Sequence, residues 1–340
     1  MSHSRILERI LDGESLTEAE AATLMHDLAE GEMTQALGGA LLAALRAKGE
    51  TADEVRGFAL AMRELALHPA IPDGSPTVDT VGTGGDGSGS LNLSTGTGLL
   101  AAACGARVVK HGNRSISSKS GSADTLEQLG VPLPLDEQAV IDCLEATNFT
   151  FLFAPAFHPA MRSIMPVRNA LGVRTIFNVL GPLTNPAATP FQLIGAFSKD
   201  AARLMADTFA GMPIDRAFVV HGEPGWDEAT PVGEFVLYDV HRGSVEETVR
   251  TPEEYGLRRC GPEELAGGDA MHNANALRRV FGNQDEGPHR DALMMGTSLV
   301  LEVLGTARDA REGVDIAATA IDSGAARKLL DDLKLHFGAE

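Results

Sequence analysis

Apolar positions recur at helical spacing through the first 67 residues. Ile6, Leu7, Ile10 and Leu11 mark a first helix, ended by Asp12-Gly13. Thr17 and Glu20 make a capping box for a second helix carrying Leu24, Met25 and Leu28. A third runs from about Thr34 to Lys48 and stops at Gly49. Thr51 and Glu54 cap a fourth, with Val55, Phe58, Met62 and Leu65 on one face. Gly38-Gly39-Ala40 and Ala43-Ala44 give the third helix a small-residue surface for close approach, inside this bundle or across a dimer seam. The intramolecular use is the simpler expectation. Pro69, Pro72, Gly74 and Pro76 then read as a hinge-like linker.

From Thr77 the pattern changes to strands alternating with helices. Short β-rich runs occur at Val78–Val81, Arg107–Val109, Phe149–Phe153, Gln192–Phe197 and Ala217–Val220. That alternation predicts an α/β domain with a mostly parallel central sheet. Its ligand belongs beyond the carboxyl ends of the strands. Glu234–Tyr238 reads as an edge hairpin, and the chain from Asn273 on as helical.

The densest signal is Val78–Thr95, VDTVGTGGDGSGSLNLST. A strand runs into five glycines within eight residues, Gly82, Gly84, Gly85, Gly87 and Gly89, and then into a helix start. Glycine lets the backbone turn left-handed and approach a ligand closely. The first N–H groups of a helix have no partner inside it, and the helix dipole there favours anions. The stretch therefore suits phosphate. No Gly-Lys-Ser/Thr follows, so it is not a Walker loop. Asp86 would sit beside the pyrophosphate of a dinucleotide, which argues against that fingerprint and for a metal–phosphate complex or a sugar hydroxyl. A ligand-free flexible turn is the competing reading.

Composition narrows the function classes. The 340-residue chain carries a net charge of −19 and 44% hydrophobic residues, with a pI near 4.9. Such acidity disfavours non-specific binding to nucleic acid or anionic membrane. No apolar run is long enough to span a bilayer, and MSHSRILERILDGE lacks an apolar export core. Cys104, Cys143 and Cys260 are scattered and lack CxxC spacing, which points to a reducing cytoplasm and away from zinc.

Against that acidity, residues 87–123 contain no Asp or Glu, where 47 acids in 340 residues would give about five. Arg107, Lys110, Arg114, Lys119 and His111 lie in the same window. Lys110-His111-Gly112-Asn113-Arg114 follows a short strand. Ser115, Ser117, Ser118, Ser120 and Ser122 add hydroxyl donors, with Gly121 before a helix. This reads as a second phosphate cradle, against the alternative of a solvated basic loop. A polyanionic substrate calls for magnesium, held by one or two carboxylates and substrate phosphates. Asp227-Glu228, on an irregular loop after a strand, is the candidate pair, with Ser94 as a candidate hydroxyl ligand; alone, such a pair is more often a solvated surface feature. Arg162, Arg168 and Arg174 stand among apolar residues and suit forked binding of carboxylate. His158 is either ligand-facing or structural.

Four ordered motifs, GTGGDG…NLST at 82–95, KHGNRSISSKSGSAD at 110–124, FAPAFHPAM with VRNALGVRTIFNVLGPLTNP at 153–186, and HG…DE at 221–228, resemble the anthranilate phosphoribosyltransferases of tryptophan biosynthesis. The resemblance covers essentially the whole chain. It implies a helical domain over 1–70, with a contribution from about 160–185, and an α/β domain of the nucleoside phosphorylase/phosphoribosyltransferase class over 77–340. It implies a homodimer joined through the helical domains. It implies that Gly82, Gly85, Asp86, Ser90, Asn92, Leu93, Ser94, Thr95, Lys110, His111, Gly112, Asn113, Arg114, Ser115, Ile116, Ser117, Ser118 and Ser122 hold 5-phosphoribosyl 1-pyrophosphate. Gly82, Asn113, His158 and Arg168 would meet anthranilate, and Ser94, Asp227 and Glu228 would bind two Mg²⁺ per subunit. The implied reaction joins the anthranilate amine to the anomeric carbon and expels pyrophosphate, by positioning and electrostatics rather than a strong base. Competing readings are a pyrimidine nucleoside phosphorylase-like enzyme, which needs one phosphate site, and a non-catalytic nucleic-acid-binding paralogue, which the charge of −19 opposes.

Overall fold

The computed structural model describes residues 2–115 and 119–337. Four helices come first: α1 (His3–Leu11), α2 (Glu18–Glu30), α3 (Gln35–Lys48) and α4 (Ala52–Glu64). Local chemistry sets their ends. Thr17 and Glu20 close one reciprocal cap and Thr51 and Glu54 another, while Thr34 accepts from Leu37 N–H. Glu54 does more than cap: its buried carboxylate also accepts from Leu16 N–H at 2.8 Å and from the Lys48 ammonium at 2.9 Å. A charge removed from water is thus met by donors from Leu16, Lys48 and Thr51, as burial requires.

The remaining elements alternate: β1 (Thr77–Gly82), α5 (Leu93–Ala103), β2 (Arg107–Gly112), α6 (Ser122–Leu129), α7 (Glu137–Thr147), β3 (Phe149–Phe153), the short α8 (Ala154–Phe157), α9 (Met161–Leu171), the short α10 (Phe177–Leu180), β4 (Phe191–Gly195), α11 (Lys199–Ala210) and β5 (Arg216–Gly222). The hairpin β6 (Phe235–His241) and β7 (Ser244–Arg250) follows, then α12 (Ala270–Phe281), α13 (Pro288–Val303), α14 (Ala310–Asp322) and α15 (Ala325–His336). The strands lie in the order β3-β2-β1-β4-β5-β6-β7. The first five named are parallel, and the hairpin at the edge is antiparallel. The chain leaves β1 towards β2 and β3, then returns to β4 on the other side of β1. That reversal opens a crevice beyond the carboxyl ends of β1 and β4.

Alternation along the strands divides the core. Phe218 and Val220 point into the layer formed by α5, α6 and α12–α15, whereas Ala217 and Val219 point the other way. The second layer is continuous with the bundle: Met205 and Phe209 of α11 share one apolar cluster with Leu24, Phe58 and Ile164. Val167 and Leu171 of α9 lie over Gly39, and Leu28 and Met33 over Gly38. The glycines of α3 therefore serve contacts within the chain.

Gly57 of α4 has no room for a side chain, because a Cβ there would meet Ala21 Cβ at 2.8 Å and Ala22 N at 2.9 Å. Gly57→Val is expected to destabilise the protein by about 1–3 kcal/mol through overpacking, against a helix-propensity gain of only about 0.5 kcal/mol. Urea unfolding checks this; an unmoved midpoint would mean that α2 and α4 are not packed this closely.

Candidate active site

Parallel strands β1, β4 and β5 each end in glycine, with β5 running two residues beyond the level of the other two. Gly82 of β1 is in register with Gly195 of β4, and β5 ends at Gly222. After β5 a tight turn is closed by Gly222 N–H donating to Trp226 O at 3.0 Å. The chain then lays Asp227 and Glu228 across the strand ends. A Cβ on Gly82 would run into the Asp227 carboxylate, one on Gly195 into the Asp227 carbonyl, and one on Gly222 into the Glu228 carbonyl. Glycine is needed here for close approach of backbone to backbone.

Asp227 Oδ2 accepts from Gly84 N–H at 2.6 Å, and Asp227 N–H donates to Asp86 Oδ2 at 3.2 Å. Glu228 Oε1 accepts from Ser94 N–H, in the first turn of α5, at 3.1 Å. Lys110 at the end of β2 is buried and donates to Thr80 O and, at 3.3 Å, to Ser94 Oγ. Glycine loop, helix start and acidic loop thus converge from elements far apart in the chain. Burial, with the neighbouring Asp86 charge, raises the Asp227 carboxyl above its ordinary range. Burial, with the Asp227 charge, raises Glu228 still more clearly. Burial lowers the Lys110 ammonium, opposed by Asp79, Glu228 and Asp227. Beneath it, Asp79 is fully buried and pushed up to about 6; its carboxylate accepts from His111 N–H at 3.1 Å and Asn185 Nδ2 at 2.8 Å.

The cations of the acid-free window do not all gather at this centre. Arg107 lies at the opposite end of β2, paired with Glu145 and bonded to the carbonyls of Pro72 and Ser75. Arg114 is drawn to Asp124 at 2.9 Å and Glu127 at 2.6 Å, just beyond the acid-free window, and lies over the Phe153 ring. Lys119 is exposed. Lys110 is thus shared by Asp79, Glu228 and Asp227, and Asp86 adds its charge beside the last two. No three acidic, histidine or cysteine side chains among the described residues form a complete metal cage. Two crowded, dehydrated carboxylates beside a serine hydroxyl nevertheless suit a divalent ion that completes its shell with phosphate oxygens.

The other residues marked in the sequence gather around this centre, with different freedom. Ser90 Oγ is 3.2 Å from Ser88 Oγ, and Ser88 N–H and Oγ donate to Asp86. Leu93 points into the hydrophobic core, so only its backbone is left for a ligand. Thr95 is buried, its hydroxyl without a partner among the described residues. The Asn113 side chain accepts from Arg114 N–H at 2.7 Å, and its carbonyl accepts from Ser122 Oγ at 3.2 Å. Ser115 N–H donates to Asp124, and a Cβ on Gly112 would collide with Ser122 Oγ. Ile116, Ser117 and Ser118 lie outside the described residues. Asn92 is held at both ends of its amide: Oδ1 accepts from Thr125 Oγ1 and Asn273 Nδ2, and Nδ2 donates to Ser120 O.

A second wall carries His158 and Arg168. The His158 and His111 rings are both buried, with centroids 5.0 Å apart. Burial holds His158 down to about 4 and His111 well below its ordinary value, so both imidazoles are neutral at pH 7. The Arg168 guanidinium lies 5.2 Å from the Phe177 ring, lowered by burial and without an acidic partner among the described residues. Arg174 donates to Gly85 O at 2.5 Å and stacks 4.1 Å over Phe197, while Arg46 of α3 holds the Arg174 carbonyl. Arg162 is exposed. Asp79, Asn185 and Asn273 escaped the sequence reading. Only Asp79 carried a local signal, a charge inside an apolar strand.

Residues 4–66 match the family described as "Glycosyl transferase family, helical bundle domain" and residues 74–327 the "Glycosyl transferase family, a/b domain". Anthranilate phosphoribosyltransferase of Anaeromyxobacter sp. (strain K) is 46% identical over 327 residues, covering 96% of each chain. That of Rubrobacter xylanophilus is 43% identical over 96% of this chain and 94% of its own. The anthranilate phosphoribosyltransferase structure from Thermus thermophilus superposes with a TM-score of 0.91 at 41% identity, covering 98% of this chain and 99% of that one. The Saccharomyces cerevisiae enzyme, solved in complex with PRPP and Mg, has a TM-score of 0.89 at 25% identity over 98% and 97% of the two chains. With its helical bundle, its mostly parallel sheet and these relatives along nearly its full length, the chain belongs to the anthranilate phosphoribosyltransferase family.

Proposed function

We propose that this protein transfers the phosphoribosyl group of 5-phosphoribosyl 1-pyrophosphate to the amine of anthranilate, releasing pyrophosphate, in tryptophan biosynthesis. The observation that carries the reading is the undercompensated Asp227–Glu228 pair, seated on glycine strand ends and bonded to the first turn of α5. The donor lies along the glycine loop 82–90, the start of α5 and the loop after β2. Open N–H groups of the loop and helix receive its phosphates. Ser94, Asp227 and Glu228 are the residues that would hold Mg²⁺, two ions per subunit. When bound, the magnesium stabilises the departing pyrophosphate electrostatically.

The acceptor sits between the glycine loop and α9. The Arg168 guanidinium, already dehydrated and without a counter-charge among the described residues, grips the anthranilate carboxylate. Asn113, His158 and Gly82 border the ring, and the neutral imidazole adds no charge that would repel the developing cation on the sugar. The C1–oxygen bond to pyrophosphate breaks ahead of formation of the nitrogen–C1 bond, and the proton of the product amine leaves to solvent. An aromatic amine keeps its lone pair at neutral pH, so no strong base is required; what the protein supplies is alignment.

The division into a helical part over 1–70, joined by about 160–185, and an α/β part over 77–340 belongs to the same proposal. So do a homodimer through the helical part and a cytoplasmic location. No helix among the described residues is long and apolar enough to cross a membrane.

Arg168→Ala is expected to raise the KM for anthranilate by about 10–100-fold, the value of a charged hydrogen bond, and that for the phosphoribosyl donor by less than about twofold. Steady-state kinetics with each substrate varied checks this, and equal effects on both would contradict the assignment. Replacing Asp227 by Asn and Glu228 by Gln together should raise the half-saturating Mg²⁺ concentration at least about tenfold. An unchanged magnesium requirement would make the pair structural. Gly195→Ala, which removes no charge, should cost about a hundredfold in kcat/KM by displacing the acidic loop, with folding checked by circular dichroism; near-normal activity would show that the loop can shift at no cost.

A further inference from the structure

The donor site has a wall that no motif marked. The segment leading into α12 runs antiparallel to the glycine loop: Leu91 N–H donates to Leu265 O at 3.0 Å, and Gly267 N–H to Gly89 O at 2.8 Å. A Cβ on Gly267 would strike Ser90 O, so the two backbones touch. One turn into α12, Asn273 is buried, with 2% of its surface exposed. Its Oδ1 accepts from Gly268 N–H and its Nδ2 donates to Asn92 Oδ1, both at 2.7 Å.

Those two bonds decide which way the Asn92 amide points. Gly268 can only donate, so the oxygen of Asn273 must face it and the NH₂ must face Asn92. Asn92 must then present its oxygen to Asn273, where Thr125 Oγ1 also donates at 2.6 Å. The NH₂ of Asn92 is left to reach Ser120 O at 3.2 Å, on the loop after β2. Asn92 is the N-cap of α5, two residues before Ser94. One buried amide in the second half of the chain thus holds together the glycine loop, the start of α5 and the second phosphate loop.

We infer that Asn273 is a positioning residue for the phosphoribosyl donor: it touches no substrate but locks Asn92 in the orientation that keeps the two phosphate loops in register. The inference rests on the reading of the donor site given above. A lost hydrogen bond that leaves a buried partner unmet corresponds to about a tenfold effect. Asn273→Ala and Asn273→Asp should each raise the KM for the phosphoribosyl donor about tenfold, the aspartate by setting an acceptor against the Asn92 oxygen. The KM for anthranilate at saturating donor should change less than twofold. Thr125→Val, which removes the other donor to Asn92 and keeps the side-chain shape, should shift the same constant in the same direction by a smaller factor. It carries the test if the Asn273 variants do not fold. Wild-type enzyme assayed in parallel separates the two claims: if it fails to consume anthranilate with 5-phosphoribosyl 1-pyrophosphate, the function is wrong. If it does so while folded variants keep the donor KM of wild type, or lose on both substrates in proportion to a lowered melting temperature, the positioning role is overturned.

Discussion

The contact on which the site depends is the seating of Asp227 and Glu228 on the glycine ends of β1, β4 and β5. Backbone reaches backbone there because no Cβ stands between. The sheet order makes the arrangement possible, since β1 and β4 become neighbours only through the reversal of the chain. The consequence is electrostatic. Asp86, Asp227 and Glu228 are pressed together, and Lys110 is the buried counter-charge of the last two. Like charges at this spacing are stable only if protonated or met by a cation. A site that binds a polyanion through acids works when metal ions lie between the two.

The acceptor side is tied to this centre by a single stretch of chain. Arg168 and Arg174 bracket the turn between α9 and α10. The first is left without an acidic partner among the described residues, and the second is fixed on Gly85 O. Because α9 packs on α2 and α3, and Arg46 of α3 holds the Arg174 carbonyl, the bundle's position sets where Arg168 stands relative to the glycine loop. Small movements of the bundle would therefore change the distance between the two reacting atoms, and bond formation is sensitive to such distances.

Much of this was legible in the chain because it is written locally. Both capping boxes, the third helix and its stop, the strand–glycine–helix unit and the parallel strands each depend on residues within a few positions of one another. Where partners lie far apart, the linear reading fell short. The acid-free window suggested an open cationic cradle, yet Arg114 folds back on Asp124 and Glu127 just past its end, and Arg107 serves the far end of its strand. The antiparallel strand β7, with an exposed and charged face, offered no alternation strong enough to mark it. Asn273 is 181 positions from Asn92, and no spacing rule links two amides across that distance. Asp79 could have been noticed, because a carboxylate inside a run of small apolar strand residues has to be satisfied from elsewhere in the fold.

The central claim is that buried acids on the strand ends require a metal-bearing diphosphate opposite them. The most direct measurement is a crystal structure of the protein with 5-phosphoribosyl 1-pyrophosphate and manganese in place of magnesium, read by anomalous scattering. The account predicts anomalous peaks at the carboxylates of Asp227 and Glu228, with the pyrophosphate between them and the first turn of α5. Peaks confined to other sites, with the sugar phosphate bound and those carboxylates bare, would contradict it.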